Sequence, residues 1–190
     1  MDTLNTTMSL STQPTTIKDK ILSAKRVFLD LCAEGTLYSV KSAINAGADV
    51  NARSKNGITA LMFAAWKNPN PKVVALLLDN GANLNAKNRY DMTLLMWAAR
   101  LNPNPEVIET ILDYGADINA KNKDGKTAIM YAAEQNPNPD VVLSLLVHNA
   151  DVTIKNAYDK KAIDYALKNR KLKKTEVFHR LLSATKQSRH

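Results

Sequence analysis

The sequence predicts an all-α solenoid, in which short helix pairs stack side by side. Asn-Pro-Asn-Pro occurs at 68–71, 102–105 and 136–139, with a spacing of 34 residues each time. A Thr-x-x-Met group and a Gly-Ala-Asp-like group recur at the same period. A fixed period of this size over most of a chain is typical of a repeat protein, whose units bury their apolar faces only by stacking on one another.

The first helix of each unit is predicted to open at Thr59, Thr93 or Thr127. Each then runs through a pair of alanines, Ala64-Ala65 in the first of the three. Small residues at these positions let neighbouring helices approach closely. We therefore expect the two helices of a unit and the next repeat to pack closely there.

The second helix of each unit is predicted to start within Asn-Pro-Asn-Pro. In the middle copy Asn104 is the expected N-cap and Pro105 the first helical residue, where a missing N–H costs nothing. Asn102 also precedes a proline, which disfavours helical geometry, so the preceding helix must stop there. Apolar residues then follow at helical spacing, as at Ile108 and Ile111.

Residues that tolerate a left-handed backbone are predicted at two places in each unit. After the second helix they are Gly81, Gly115 and Asn149. In the polar turn between units they are Gly57, Asp91, Gly125 and Asp159. Each unit is therefore expected to be an extended turn followed by a short antiparallel helix pair.

These motifs carry a family resemblance. Gly-x-Thr-Ala-Leu-Met-x-Ala-Ala at 57–65, Val-Val-x-Leu-Leu-Leu at 73–78 and Gly-Ala-Asp-Val-Asn-Ala at 47–52 resemble the ankyrin repeat. Two departures from that family's consensus recur in every unit. Its proline is replaced by Ala60, Leu94 and Ala128, and its histidine by Met62, Met96 and Met130. We expect these methionines to pack in the core instead of binding the backbone of the turn.

The family's usual period is 33, and the extra residue here lies in Asn-Pro-Asn-Pro, a variant similar to bacterial ankyrin sequences. The expected organisation is a Ser/Thr-rich disordered tail followed by one domain of about five stacked repeats, caps included. The boundaries are 1–16 for the tail, 17–190 for the domain, 18–53 for an N-terminal cap with a divergent first repeat, 54–87, 88–121 and 122–155 for full repeats, and 156–190 for a C-terminal capping repeat.

Composition limits the range of functions. The net charge is +8, and residues 168–190 carry eight basic residues against one acid, so the rest of the chain is near neutral. The single cysteine, Cys32, excludes an internal disulfide and is expected to be a small buried residue. Residues 1–16 lack the basic start and apolar stretch of a Sec signal peptide, and no apolar run reaches membrane-span length. We therefore expect a cytoplasmic protein, with non-Sec export left open.

No pattern in the chain predicts catalysis. The histidines His148, His179 and His190 are too scattered for a metal motif, and neither a phosphate-binding loop nor a nucleophile elbow is present. We expect no enzyme activity, no catalytic residue, no metal, no cofactor and no small-molecule substrate.

The family resemblance implies a protein-binding module, or scaffold, whose partner lies across the turn tips and inner helices of a concave face. The tip positions are Lys55, Asn56, Ile58, Arg89, Tyr90, Met92, Lys123, Asp124, Lys126 and Tyr158, and the inner-helix positions are Trp66, Lys67, Arg100, Leu101, Glu134 and Gln135. Trp66 could either be exposed for binding or fold back over its own helix pair. A second aromatic series is expected to pack between inner helices, at Phe63, Trp97, Tyr131 and Tyr165.

Two other functions remain open from the sequence. The basic C-terminus could bind an anionic surface or nucleic acid, through Lys168, Arg170, Lys171, Lys173, Lys174 and Arg180. Alternatively, the Ser/Thr-rich N-terminus could be a non-Sec export signal of an effector that binds a host protein. The partner is expected to be a protein of unknown identity, and the chain a monomer.

Overall fold

The structure, a computed structural model, describes residues 17–187, and side chains from 20 to 186. The expected disordered tail at 1–16 lies outside the described residues. The expected all-α fold is confirmed, because the described part of the chain contains ten helices and no named strand, with one isolated β-bridge between Arg53 and Thr59. The helices are α1 Ile17–Glu34, α2 Leu37–Asn45, α3 Ala60–Lys67, α4 Pro71–Asp79, α5 Leu94–Leu101, α6 Pro105–Asp113, α7 Ala128–Gln135, α8 Pro139–Val147, α9 Ala162–Ala166 and α10 Glu176–Gln187.

The helices form two stacked layers. The odd-numbered helices contact one another in sequence to make the inner layer, and the even-numbered helices do the same to make the outer layer. One hydrophobic core runs through the described chain, from Phe28 in α1 to Leu181 in α10. The alanine pairs of α3, α5 and α7 are fully or almost fully buried. Their small size allows the close approach of the inner helices that the sequence predicts.

The two ends of the stack differ from its middle. The expected N-terminal cap and first inner helix are one continuous helix, α1, which has 18 residues where α3, α5 and α7 have eight. At the other end α10 runs from Glu176 to Gln187 and has 12 residues. The boundaries of the individual repeats stay predictions.

Threonine caps open the inner helices. Thr59 Oγ1 accepts a hydrogen bond from Met62 N at 3.1 Å, and Thr93 Oγ1 accepts one from Met96 N at 3.4 Å. Thr127 has the same extended backbone, but its buried hydroxyl has no hydrogen-bond partner. Met62, Met96 and the equivalent Met130 are almost completely buried. The methionines therefore pack in the core, as the sequence predicts. Met96 also binds the backbone, because its Sδ accepts a hydrogen bond from Thr93 N at 3.5 Å, so the expectation that no methionine does so is wrong there.

The outer helices begin where Asn-Pro-Asn-Pro predicts. The side chains of Asn70, Asn104 and Asn138 each accept a hydrogen bond from the backbone N–H of the second helical residue, and a proline is the first helical residue each time. This arrangement satisfies one otherwise unpaired N–H at each helix start.

The first asparagine of each Asn-Pro-Asn-Pro motif joins consecutive repeats. Asn102 is fully buried, and its Nδ2 donates to Ala65 O at 3.0 Å and to Asn68 O at 2.9 Å in the preceding unit. Its Oδ1 accepts from Asn104 N at 3.0 Å. Asn68 and Asn136 make the equivalent three bonds. We call these three residues the asparagine ladder.

A fourth asparagine, Asn169 in the C-terminal unit, makes one of the equivalent bonds to the preceding unit. Asn169 Nδ2 donates to Ala133 O at 3.0 Å, although no Asn-Pro-Asn-Pro motif is present there. The sequence predicted only that the first asparagine of each motif ends a helix, and its role between repeats was missed. The 34-residue spacing of these asparagines could have indicated this role. A polar residue that recurs at the same period as the core residues is a candidate for contacts between units.

The left-handed positions are those expected from the sequence. Gly81, Gly115 and Asn149 have φ of +84°, +87° and +62°. In the turns, Gly57, Asp91, Gly125 and Asp159 have φ between +57° and +77°.

Gly115→Val should lower the free energy of unfolding by about 1–2 kcal/mol, since a β-branched residue is strained at positive φ. Nothing lies within 4 Å of the place where a Cβ would be, so the cost is conformational and not a clash. Gly115→Asn is the matched control and should cost much less, because Asn149 adopts this geometry in the next unit. Urea denaturation measures both, and an unchanged midpoint for the valine variant would contradict the assignment.

Cys32 is a core residue, with no exposed surface, and burial raises the pKa of its thiol to about 12. The thiolate is the reactive form of cysteine. Because the raised pKa lies far above pH 8, little thiolate exists at that pH. Labelling of Cys32 by a thiol reagent at pH 8 should therefore be at least about a thousandfold slower in the native protein than in denaturant. Stopped-flow absorbance with a chromogenic disulfide measures both rates, and comparable rates would show that α1 opens readily.

Candidate functional site

An asparagine shapes each turn between units. Asn122 Oδ1 accepts hydrogen bonds from Asp124 N at 3.1 Å and Lys126 N at 2.8 Å. Asn88 and Asn156 repeat this pattern in the turns before and after it. One side chain thus satisfies two backbone N–H groups and holds the turn in a single shape.

Successive turns are bonded to one another. Lys123 N donates to Tyr90 O at 3.3 Å, and Ala157 N donates to Asp124 O at 2.9 Å. The Lys123 side chain also reaches back, with Nζ donating to Arg89 O at 2.8 Å. These bonds join three consecutive turns into one continuous surface, which we call the turn ridge and define as residues 89–90, 123–124 and 157–158.

Two tyrosines stand out from the turn ridge. Tyr90 is 58% exposed and Tyr158 is 67% exposed. The guanidinium carbon of Arg89 lies 5.6 Å from the centre of the Tyr90 ring. Lys123 and Asp124 are also exposed. The ridge therefore presents aromatic rings beside charged groups.

The remaining tip positions from the sequence are divided between surface and interior. Lys55 and Asn56 are exposed and Ile58 is partly buried. Met92, expected at the surface, is only 5% exposed. That expectation is wrong, because Met92 belongs to the hydrophobic core next to the turn.

Trp66 lies partly buried on the inner face. Its ring centre is 6.2 Å from that of Phe63 and 5.4 Å from that of Trp97. Lys67 covers it from another side, with Nζ 5.2 Å from the ring centre, and forms an ion pair with Glu34 at 3.0 Å. Trp66 is thus covered by Phe63 of its own helix and by Trp97 of the next inner helix, so it packs between units and not over its own helix pair.

Most of the other inner-face positions are paired with one another. Lys126 Nζ lies 2.9 Å from Glu134 Oε2, and both side chains are largely buried. Burial opposes the charge on Lys126, but the hydrogen bond and the negative charge of Glu134 outweigh it and raise the pKa of the ammonium. Arg100 Nε donates to Gln135 Oε1 at 2.7 Å. Leu101 is partly buried. These side chains stiffen the inner face.

The second aromatic series packs between the inner helices, as expected. Trp97 and Tyr131 are buried, while Phe63 and Tyr165 are partly buried. Tyr131 Oη accepts from Asn122 Nδ2 at 3.0 Å, and Tyr165 Oη accepts from Asn156 Nδ2 at 2.7 Å. Tyr131 and Tyr165 therefore link α7 and α9 to the turns that precede them, whereas Trp97 Nε1 has no hydrogen-bond partner among the described residues.

Comparison with known families agrees with this architecture. A family model described as "Ankyrin repeats (3 copies)" matches residues 29–122 and 95–189, which together cover most of the chain. The chain belongs to the ankyrin-repeat family. Ankyrin repeats are generally protein–protein interaction modules, and the family is typically non-catalytic. No curated protein sequence gave a match.

The excess of basic over acidic residues in this ankyrin array lies at its C-terminal end. Lys168, Arg170, Lys171, Lys173 and Lys174 are exposed in the loop between α9 and α10. Asn169 holds this loop against the preceding unit through Ala133 O. Arg180 is exposed, and its Nε lies 3.3 Å from Oε1 of Glu176. Phe178 is buried, so it offers no ring on which a base could stack.

Among the described residues, no group of three or more histidine, cysteine, aspartate or glutamate side chains could hold a metal ion. Within the same range, every helix is too short or too polar to cross a bilayer.

Proposed function

We propose that this ankyrin array is a non-catalytic protein-binding module whose partner lies along the turn ridge and the adjoining inner face. The observation that carries the proposal is the exposure of Tyr90 and Tyr158 on turns that are bonded to one another. Large exposed aromatic side chains beside cations are the residue types enriched in interface hot spots. The array is proposed to act as a monomer.

Rigidity supports this proposal. The turns are held by Asn88, Asn122 and Asn156, and the inner face by the Lys126–Glu134 ion pair. A surface already held in one conformation loses little entropy on binding, so a few anchor residues can provide useful affinity. Trp66 and Lys67 border this surface but are engaged with their own neighbours.

The charges of the ridge indicate the chemistry of the partner. Arg89 and Lys123 occupy equivalent positions in consecutive turns, and Lys55 occupies that position one turn earlier. All three are exposed, whereas Asp124 is the single exposed acid at the ridge positions. The complementary surface would carry carboxylates around an apolar or aromatic patch that covers the tyrosines.

Tyr90→Ala combined with Tyr158→Ala is expected to lower affinity for the partner at least tenfold. Each truncation removes a large exposed ring and leaves the fold unchanged. The measurement is affinity capture from source-cell lysate at about 150 mM salt, quantified by mass spectrometry and followed by titration with the purified partner. The matched control is Tyr38→Ala, because Tyr38 is 81% exposed on the outer helix α2. Equal capture by both variants would contradict the proposal.

A second candidate function rests on the exposed basic loop 168–174 of the C-terminal unit. Binding of nucleic acid or an anionic surface through this loop would weaken steeply with salt, because each neutralised phosphate releases counterions. Lys171→Glu with Lys174→Glu should abolish such binding and leave capture through Tyr90 and Tyr158 intact. If capture of the partner is the same at low and high salt, the loop does not bind nucleic acid or an anionic surface.

Export as an effector that binds a host protein is a third candidate, and it concerns residues 1–16 outside the described part of the chain. A reporter fused to these residues tests it directly. Retention of the reporter in the cytoplasm would favour a module that works inside the cell.

A further inference from the structure

Residues 22–30 in the middle of α1 form one wall of a groove at the N-terminal end of the array, beside the inner helix α3. The groove has a volume of about 430 Å³, and its other wall is the turn at Arg53, Ser54 and Lys55. This volume lies in the range of roughly 300–1,000 Å³ that is typical of binding clefts. Leu22, Leu29 and Phe63 line it with apolar surface.

The groove exists because α1 extends beyond the other inner helices. Asn68 bonds to Cys32 O as Asn102 bonds to Ala65 O, which aligns α1 with α3 at an offset of 33 residues. The equivalents of α3 residues 60–67 are therefore residues 27–34 of α1, and residues 17–26 are about three additional turns. In later units, the residues just before the inner helix form a turn instead, and that turn bonds to the turn of the neighbouring unit. Leu22, which lines the groove from this extension, is 51% exposed. A large aliphatic side chain in solvent at the edge of an apolar groove favours a partner.

The rim of the groove is basic. Lys25, Arg53 and Lys55 line it together with the Arg26–Asp30 pair, whose atoms are 3.9 Å apart. Asp30 is therefore the only acid among four cations in the lining. Lys25 and Lys55 have no ion pair within the described part of the chain.

The charge decides between possible occupants. A second copy stacked end to end would bring its C-terminal unit to this place, and residues 168–190 carry eight basic residues against one acid. Like charges oppose that arrangement. Residues 1–16 of the chain itself contain a single acid, Asp2, and so lack the complementary charge.

We propose that this groove binds an acidic, amphipathic peptide segment of another protein. Apolar side chains of the segment pack on Leu22, Leu29 and Phe63, and its carboxylates pair with Lys25, Lys55 and Arg53. The groove borders the surface of the proposed function, because Lys55 is the tip position one turn before Arg89. Leu22 and Lys25 lie on α1 and outside that surface, so a variant of these two residues tests the groove alone. A partner could use both surfaces or either one.

The test is selection of a random 16-residue peptide library on the intact chain, followed by fluorescence titration of the selected peptides. The groove variant is Leu22→Asp with Lys25→Glu, and the control variant is Tyr90→Ala with Tyr158→Ala. Both groove positions are exposed, so the variant should fold normally, which circular dichroism and thermal melting verify.

The expected result is a set of peptides rich in Asp or Glu beside large apolar residues. Their affinity should fall at least tenfold for the groove variant and remain unchanged for the turn-ridge variant. Replacing their acids with Asn or Gln should also cost tenfold or more.

Three results would overturn the proposal. One is selection of only basic or neutral peptides. Another is a peptide affinity that is the same for the groove variant and the intact chain. The third is concentration-dependent self-association of the intact chain in sedimentation that the groove variant abolishes, which would assign the groove to a second copy. Loss of binding only in the turn-ridge variant would support the proposed function and reject the groove.

Discussion

Replacing Asn102 with alanine is expected to lower the free energy of unfolding by about 3 kcal/mol or more. The substitution removes three hydrogen bonds at a fully buried position. It also leaves Ala65 O and Asn68 O without this donor, and an unsatisfied buried polar group costs about 1–3 kcal/mol. Because the lost bonds join two units, the effect should also appear as reduced cooperativity of unfolding.

Urea denaturation followed by circular dichroism measures this effect. The matched control is Asn80→Ala, since Asn80 is exposed and its side chain bonds only to Leu76 O in its own helix. The control should change the unfolding free energy by roughly 0.5 kcal/mol or less. A loss below about 1 kcal/mol for Asn102→Ala would mean that the asparagine ladder contributes little to the stack.

Asn102→Asp gives the same prediction a pH dependence. A carboxylate there would face Ala65 O and Asn68 O, so the folded state would favour the protonated form and raise the pKa of the new acid. A raised pKa means that the folded state holds its proton more tightly than the unfolded state. The variant should therefore be more stable near pH 4 than near pH 7, relative to the unsubstituted chain at each pH. An equal loss at both pH values would contradict the buried geometry.

Gly125→Ala is expected to lower the free energy of unfolding by about 2–5 kcal/mol, from two separate causes. The residue has φ of +72°, where an L side chain costs about 1–2 kcal/mol. In addition, a Cβ would lie 3.1 Å from Ala157 N and 3.2 Å from the Cα of Asn156. These are backbone atoms of the next turn and cannot rotate away, so overpacking adds about 1–3 kcal/mol.

Gly57→Ala separates the two causes. Gly57 occupies the equivalent turn with φ of +77°, but its nearest contacts to a Cβ are at an ordinary 3.8 Å. It should lose about 1–2 kcal/mol from strain alone. Parallel thermal melts of the two variants provide the comparison, and equal losses would show that the turns do not approach as closely at Gly125 as the structure indicates.

The local features of each repeat could be predicted because their causes lie within a few residues. An asparagine before a proline caps a helix through its own side chain, as Asn104 does. A glycine after a helix adopts positive φ because it has no Cβ, as at Gly115. The period of 34 residues then implies stacking, since one helix pair cannot bury its own apolar face.

The surface was harder to predict, because exposure depends on which side chains neighbouring units bring near. Met92 shares a turn with Tyr90, yet Met92 is buried and Tyr90 is exposed. Lys126 was expected on a free face, and the sequence left the exposure of Trp66 open. Both are engaged by residues from other helices or turns.

The sequence by itself determined the repeat, the order of helices and turns, the helix caps, the left-handed positions and the burial of Cys32. All of these follow from local backbone preferences and from a hydrophobic pattern in a single unit. The tertiary structure alone decided the asparagine ladder, the linked turns that expose Tyr90 and Tyr158, and the groove beside α1. Those features are contacts between residues about 34 positions apart or between a helix extension and a turn, and their geometry exists only once the units have stacked.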